Sequence, residues 1–114
     1  MCIRDRYNTF SIQFTLPAGE NDTFPIQQRA QFGFVINEAY YQTNTGSIDA
    51  NIQINGVSVT GLNAITIGGG SPTVEGNSIA TANQVVSTGD KLTMVTTNNS
   101  GASMVSLILY CTRT

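Results

Sequence analysis

Histidine and tryptophan are both absent from the 114 residues, and charge is scarce: 5 Lys or Arg and 7 Asp or Glu give a net charge of −2. Without histidine there is no Ser-His-Asp triad, no Cys-His nucleophile and no imidazole metal site. Five scattered basic residues cannot neutralise a phosphate backbone, so no nucleic-acid partner is expected. No run of eighteen apolar residues occurs, so no membrane insertion is expected. The two cysteines, Cys2 and Cys111, form no CxxC site and no disulfide framework. No cofactor or metal is implied. What stands in place of charge is amide and hydroxyl: Ser, Thr, Asn and Gln supply 42 residues, beside a hydrophobic fraction of 40%. Charged side chains reach 11%, against about 25% in ordinary domains. The surface of this chain is polar without being ionic.

The first six residues differ from the rest. Met1-Cys2-Ile3-Arg4-Asp5-Arg6 holds three charges, and no apolar core of signal-peptide length follows. The segment resembles the translated adaptor scar that opens many metagenomic reading frames. That resemblance implies that residues 1–6 are not native, that the native N-terminus is missing and that 7–114 form a single domain. Cys111 then stands alone and reads as a small buried hydrophobe near the end of a strand. A Cys2–Cys111 bridge carries little weight.

Alternation runs through the chain. Phe10, Ile12, Phe14 and Leu16 share one face of a strand from Tyr7 to Leu16, and Thr9, Ser11, Gln13 and Thr15 share the other. Pro17 to Asp22 are turn formers. Phe32 to Gln42 reads as a strand with apolar groups on both faces, central in a sheet or at an interface. Ile48, Ala50, Ile52 and Ile54 alternate with Asp49, Asn51 and Gln53, and Val57 and Val59 with Ser58 and Thr60. Asn55-Gly56 between them predicts a type I′ hairpin, because that turn needs positive φ at both central residues. Shorter strands are expected at Asn63–Ile67 and at Thr73–Val74 and Ser78–Ala82, the last two as one broken strand or two short ones. Lys91–Thr97 and Ser103–Thr112 read as two strands separated by a turn at Asn98-Asn99-Ser100-Gly101. No segment has helical spacing. About eight strands with frequent turn signals predict an all-β fold, an antiparallel β-sandwich of the eight-stranded jelly-roll kind.

Chemical sites are few. Glu20-Asn21-Asp22 clusters oxygens but lacks the spacing of a calcium loop, and reads as a solvated turn. Asp49 and Asp90 would make an acid/base pair only if folding joined them. Gly68-Gly69-Gly70-Ser71 lacks the lysine and following helix of a phosphate loop and reads as a linker. Asn21-Asp22-Thr23 and Asn98-Asn99-Ser100 match the glycosylation sequon, as chance allows in so Asn- and Thr-rich a chain. Tyr40-Tyr41 is the feature of most interest. Neighbours on a strand face opposite sides, so one ring can pack in the core while the other lies at the surface, the alternative being that both rings merely complete the sandwich. A surface tyrosine flanked by Asn37, Gln42 and Asn44 is a platform for sugar stacking or protein contact.

The order of motifs from about Phe32 onward, "GSIDANIQINGVSVTGLNAITI", "SIATANQVVSTGDKLTMV" and a closing "SLILY", resembles small all-β structural proteins of tailed bacteriophages. In these an I-x-I-N-G hairpin precedes a Gly/Ser/Thr loop and an A-x-G-D-x-L-x-V-like strand start. Ile52-Gln53-Ile54-Asn55-Gly56 and Ser87-Thr88-Gly89-Asp90-Lys91-Leu92 carry the match here, with Ser-Thr where alanine is common. The resemblance covers roughly 80 residues. It implies a non-catalytic virion component (tail-fibre, baseplate or head-decoration module) acting through protein or receptor contact. The implied partners are other virion proteins, further copies of the chain, a trimer among the symmetries, and a host-surface glycan. The competing reading is a carbohydrate-binding module of a secreted or surface protein, stacking sugar on Tyr40 or Tyr41.

Overall fold

Alternation becomes strand nearly everywhere the sequence shows it. The computed structural model describes residues 9–68 and 74–114, so the expectations for residues 1–6 and for 69–73 lie outside the described residues. Among the described residues there are nine strands: β1 (Thr9–Ala18), β2 (Thr23–Gln27), β3 (Phe34–Thr43), β4 (Thr45–Ile54), β5 (Val57–Ser58), β6 (Ile65–Gly68), β7 (Val74–Ile79), β8 (Val85–Val86) and β9 (Leu92–Arg113). Every pairing between them is antiparallel. Among the described residues no helix is long and apolar enough to cross a membrane.

The architecture follows from β9. Its 22 residues would run about 70 Å if straight, at ~3.3 Å per residue. The longest extent of the molecule is 46 Å, so the strand must bend. It does so where Asn98, Gly101 and Met104 take φ of 52°, 67° and 52°. The expected turn at Asn98–Gly101 is therefore a bend inside one strand, not a break between two. Flanking chain keeps pairing through it, with Ser47 opposite Ser100 and Gly101 and Thr45 opposite Ser103. The first half of β9 lies between β2 and β4, the second between β1 and β3. β5 and β6 extend the first layer beyond β4, and β7 and β8 extend the second beyond β3. A continuous sheet is thus folded over into a jelly-roll-like sandwich around one core.

The expected inward positions fill that core. Ile48, Ala50, Ile52 and Ile54 of β4 are buried, facing the layer that holds Leu107 and Leu109 of β9. β1 holds Phe10, Ile12 and Phe14 half-buried and Leu16 buried, with Thr9, Ser11, Gln13 and Thr15 exposed. Asn55 and Gly56 have φ of 52° and 84°, and Ile54 pairs with Val57, giving the predicted two-residue turn.

Several boundaries differ from expectation. β5 stops after Ser58 because Val59 N–H turns to the Ile52 carbonyl (2.9 Å) and Thr60 bridges to Ala82. Val59 is consequently buried while Val57 stays exposed, breaking the expected shared face. β7 is one strand, not two pieces, and ends at Ile79. β2 and β8 were not foreseen. Pro25 reads against a strand, yet among the described residues β2 pairs only with β9, and a proline is tolerated where its missing N–H faces away from the ladder.

Candidate functional site

The outer face of the second layer is set by one extra residue. Ile36 pairs with Cys111 and Glu38 with Tyr110, which leaves Asn37 as a bulge in β3. The bulge flips the phase of the strand: Phe34 and Ile36 point inward before it, Ala39 and Thr43 after it. This is why Phe32–Gln42 shows apolar groups on both faces, and β3 is central, between β9 and β7. Tyr41 falls on the inner side, half-buried against the core, with its hydroxyl 2.8 Å from Ser78 Oγ. Tyr40 falls on the outer side and is 38% exposed.

Tyr40 meets Tyr110 edge to face, with ring centroids 5.2 Å apart at 90°. Strand register places Ile108 opposite Tyr40, and Ile79 and Tyr110 on either side of Glu38. Two tyrosines and two isoleucines therefore share this face, with Tyr110 and Ile79 exposed. Their neighbours on the face are the uncharged Ser11, Gln13, Gln42, Asn77 and Ser106, and the carboxylate of Glu38, set between Tyr110 and Ile79. The recess between Tyr40, Tyr41, Gln42, Ser106 and Ile108 holds about 50 Å³, and a larger one of about 380 Å³ lies beside Ser11, Asn37, Glu38 and Tyr110.

The five residues singled out from sequence do not converge. Tyr40 and Gln42 share the outer face. Tyr41 lies on the opposite one. Asn37 is exposed at the bulge and donates from Nδ2 to Thr112 Oγ1 (2.8 Å). Asn44 is exposed at the bend, where its N–H reaches the Ser103 carbonyl (3.0 Å). Tyr110 and Ile108 lie on the outer side of β9, and no local sequence signal sets that strand beside Tyr40.

The two quoted motifs meet at one end of the sandwich. Asp90 Oδ1 accepts from Asn55 Nδ2 (2.9 Å), Asp90 Oδ2 from Ser87 N–H (2.8 Å), and Asn55 Oδ1 from Lys91 N–H (2.9 Å). The hairpin of one motif is thereby fastened to the turn of the other. The Ser87 N–H, and next the Asn55 amide, hold the Asp90 carboxyl below its ordinary 3.8. Asp49 lies about 20 Å along β4 from Asn55, where its carboxylate accepts from Asn98 Nδ2 (2.9 Å). Glycosidase pairs sit about 5 to 10 Å apart, so the two aspartates form no acid/base pair. A depressed folded pKa contributes stability that is present at neutral pH and lost as pH falls through it. The urea midpoint is therefore expected to fall from about pH 4 downward, and the Asp90→Ala chain to start lower at pH 7 and fall less steeply. Denaturant titrations at pH 7 and pH 3 check this.

The remaining candidates are structural. Cys111 is a buried free thiol, and burial pushes its pKa to about 12, which removes it as a nucleophile at neutral pH. Cys2 lies outside the described residues. The Glu20–Asp22 turn is fastened to β9: Asn21 Oδ1 accepts from Asn99 N–H (2.9 Å), and the Thr96 hydroxyl accepts from Asp22 N–H (3.0 Å) while donating to the Glu20 carbonyl. Among the described residues no three His, Cys, Asp or Glu gather as metal ligands.

No protein-family model and no curated protein matches the sequence. Solved structures do. A chain of the cyanophage Pam1 capsid asymmetric unit aligns with 94% of this chain and 86% of its own length, at TM-score 0.58 and 13% identity. A chain of the acid-stable capsid of Helicobacter pylori bacteriophage KHP30 aligns with 93% of this chain and 87% of its own, at TM-score 0.58 and 5% identity. A family 35 carbohydrate-binding module from Clostridium thermocellum covers 93% and 91% at 13% identity, but at TM-score 0.43, too low to argue from. At these identities the likeness to the capsid chains is one of fold.

Proposed function

We propose that this chain is a non-catalytic structural protein of a tailed-phage particle, a head-decoration module that seats its Tyr40–Tyr110 face on the capsid shell. That face carries the reading. Exposed aromatic rings beside isoleucines in a mostly polar surround are the make-up of a protein-contact surface, where tyrosine anchors dominate binding. The fold it shares with two phage-capsid chains of its own size supports the same reading, as do the motifs quoted from the sequence. The site of action is then the virion surface. Tail-fibre and baseplate positions use the same kind of contact and are separated by the partner that is bound.

The test is co-sedimentation of the purified protein with shells assembled from the capsid protein encoded beside it on the source contig. Wild type is expected to saturate the shells. Tyr40→Ala and Tyr110→Ala, each with an unchanged circular-dichroism spectrum, are expected to lower affinity ~30-fold, as loss of a ~2 kcal/mol anchor does. Absence of shell binding, together with glycan-array signal that disappears in Tyr40→Ala, would establish a carbohydrate-binding module instead.

A further inference from the structure

Asn55-Gly56 is the one Asn-Gly pair in the sequence, and its chemistry goes beyond the making of a turn. A glycine sets no side chain beside its own N–H. The amide nitrogen of Gly56 is therefore open to close a ring on the Asn55 side chain. In that step a bond forms between Gly56 N and Asn55 Cγ, the Cγ–Nδ2 bond breaks, and ammonia leaves with the Gly56 amide proton. Water then opens the cyclic imide to aspartate or isoaspartate. The pair is accessible: both residues are exposed, and a Cβ built on Gly56 meets nothing within 4 Å.

Ring closure needs Cγ and the Gly56 nitrogen aligned and about 3 to 3.5 Å apart. The fold holds the side chain to a different segment. Its oxygen accepts from Lys91 N–H (2.9 Å), and its Nδ2, the leaving group, donates to Asp90 Oδ1 (2.9 Å). The Asn55 backbone joins the same turn, its N–H donating to the Lys91 carbonyl (2.8 Å). Asp90 cannot follow a swing of the amide, because it is itself fastened. Ser87 N–H holds its Oδ2 (2.8 Å), its own N–H donates to the Ser87 carbonyl (2.9 Å), and its carbonyl accepts from the N–H of the buried Ala30 (2.8 Å). Both side-chain bonds must break before the ring can close, and the one to the carboxylate is the stronger kind. We propose that Asn55 is a latent deamidation site kept closed by the Asp90 carboxylate, and that its release is a one-way switch at this end of the sandwich. The product makes the change irreversible in effect. It puts a carboxylate where Nδ2 donated, so two anions face each other and the link between hairpin and turn is lost. The shell-docking face plays no part in this, so the inference stands or falls apart from the proposed function.

Conversion of Asn55 in the full chain is followed by peptide mass spectrometry during incubation at mildly alkaline pH. Folded wild type is expected to deamidate about a hundredfold more slowly than the same chain unfolded in urea, and Asp90→Ala about thirtyfold faster than folded wild type, as loss of a hydrogen bond to a charged group implies. Asp90→Asn keeps an uncharged oxygen as acceptor and is expected to fall between the two; it carries the test if Asp90→Ala does not fold. Below the unfolding midpoint the variant's rate is expected to stay flat in urea, because local release exposes little surface, whereas escape through global unfolding rises steeply. Asn55→Asp, one of the two products, is expected to have a lower urea midpoint than wild type at neutral pH. A wild-type rate equal to that of the unfolded chain, variant rates equal to or below wild type, a rate that climbs with urea from the outset, or an Asn55→Asp midpoint at the wild-type value would overturn the inference.

Discussion

Gly46→Ala is expected to lower stability by about 3 kcal/mol, far more than one methyl group ordinarily does. Gly46 sits where the β3–β4 chain bends alongside β9, at φ +66°. A Cβ there would lie 2.1 Å from the Ser100 carbonyl oxygen and 2.4 Å from the Gly101 carbonyl carbon. Both belong to the backbone of the β9 bend, so neither can rotate aside. Moving them disturbs the pairing of Ser47 with Ser100 and Gly101, and strains the buried Thr43 hydroxyl, which shares its one proton between the Thr45 (2.9 Å) and Ser103 (2.8 Å) carbonyls. Left-handed backbone costs a non-glycine residue about 1 to 2 kcal/mol, and overpacking about 1 to 3 more. Gly56→Ala is the control. It has φ +84° but nothing within 4 Å of the added methyl, so only the backbone term of about 1 kcal/mol remains. Urea midpoints of the two variants should differ accordingly. Equal midpoints would mean that the bend yields, and that the two layers are not held by it.

The same bend shows what sequence reading reaches and where it stops. Asn55-Gly56 was legible as a turn because its signal is local: two residues supply positive φ between two alternating runs. Asn98-Asn99-Ser100-Gly101 looks equally turn-like, yet β9 runs through it. The difference lies in Ser47 and Thr45, some fifty residues earlier, which continue the ladder across the bend. The bulge at Asn37 has no residue signature, but it decides the parity of every β3 position after it. Alternation alone set Tyr40 and Tyr41 on opposite faces; the bulge decided which faces the core. Tyr110 stands beside Tyr40 only because β9 neighbours β3, a pairing across seventy residues. Asn55 and Asp90 were each readable as turn residues, but their mutual hydrogen bond belongs to the same class of non-local facts.

Phe34→Ala is expected to lower stability by about 3 to 5 kcal/mol, the usual range for a large aromatic removed from a core. Phe34 is 1% exposed and receives Phe10 edge-on at 5.2 Å and 80°, with Phe32 at 6.0 Å and 65°. The Arg113 guanidinium closes the cluster over Phe32, 4.4 Å from its centroid. Removing the central ring leaves Phe10 without its floor, and Phe10 belongs to β1. The midpoint of thermal unfolding should drop by roughly 15 to 30 °C, whereas Tyr110→Ala on the exposed face should move it by only a few degrees. A gentler variant separates global loss from local loosening. Phe34→Leu leaves the core largely filled, and amide exchange is then expected to quicken in β1 well before it does in β4, whose isoleucines lie in the other layer. If the two strands quicken together, the aromatic cluster serves the whole core equally. If β1 alone quickens, that cluster is what holds β1 on the core.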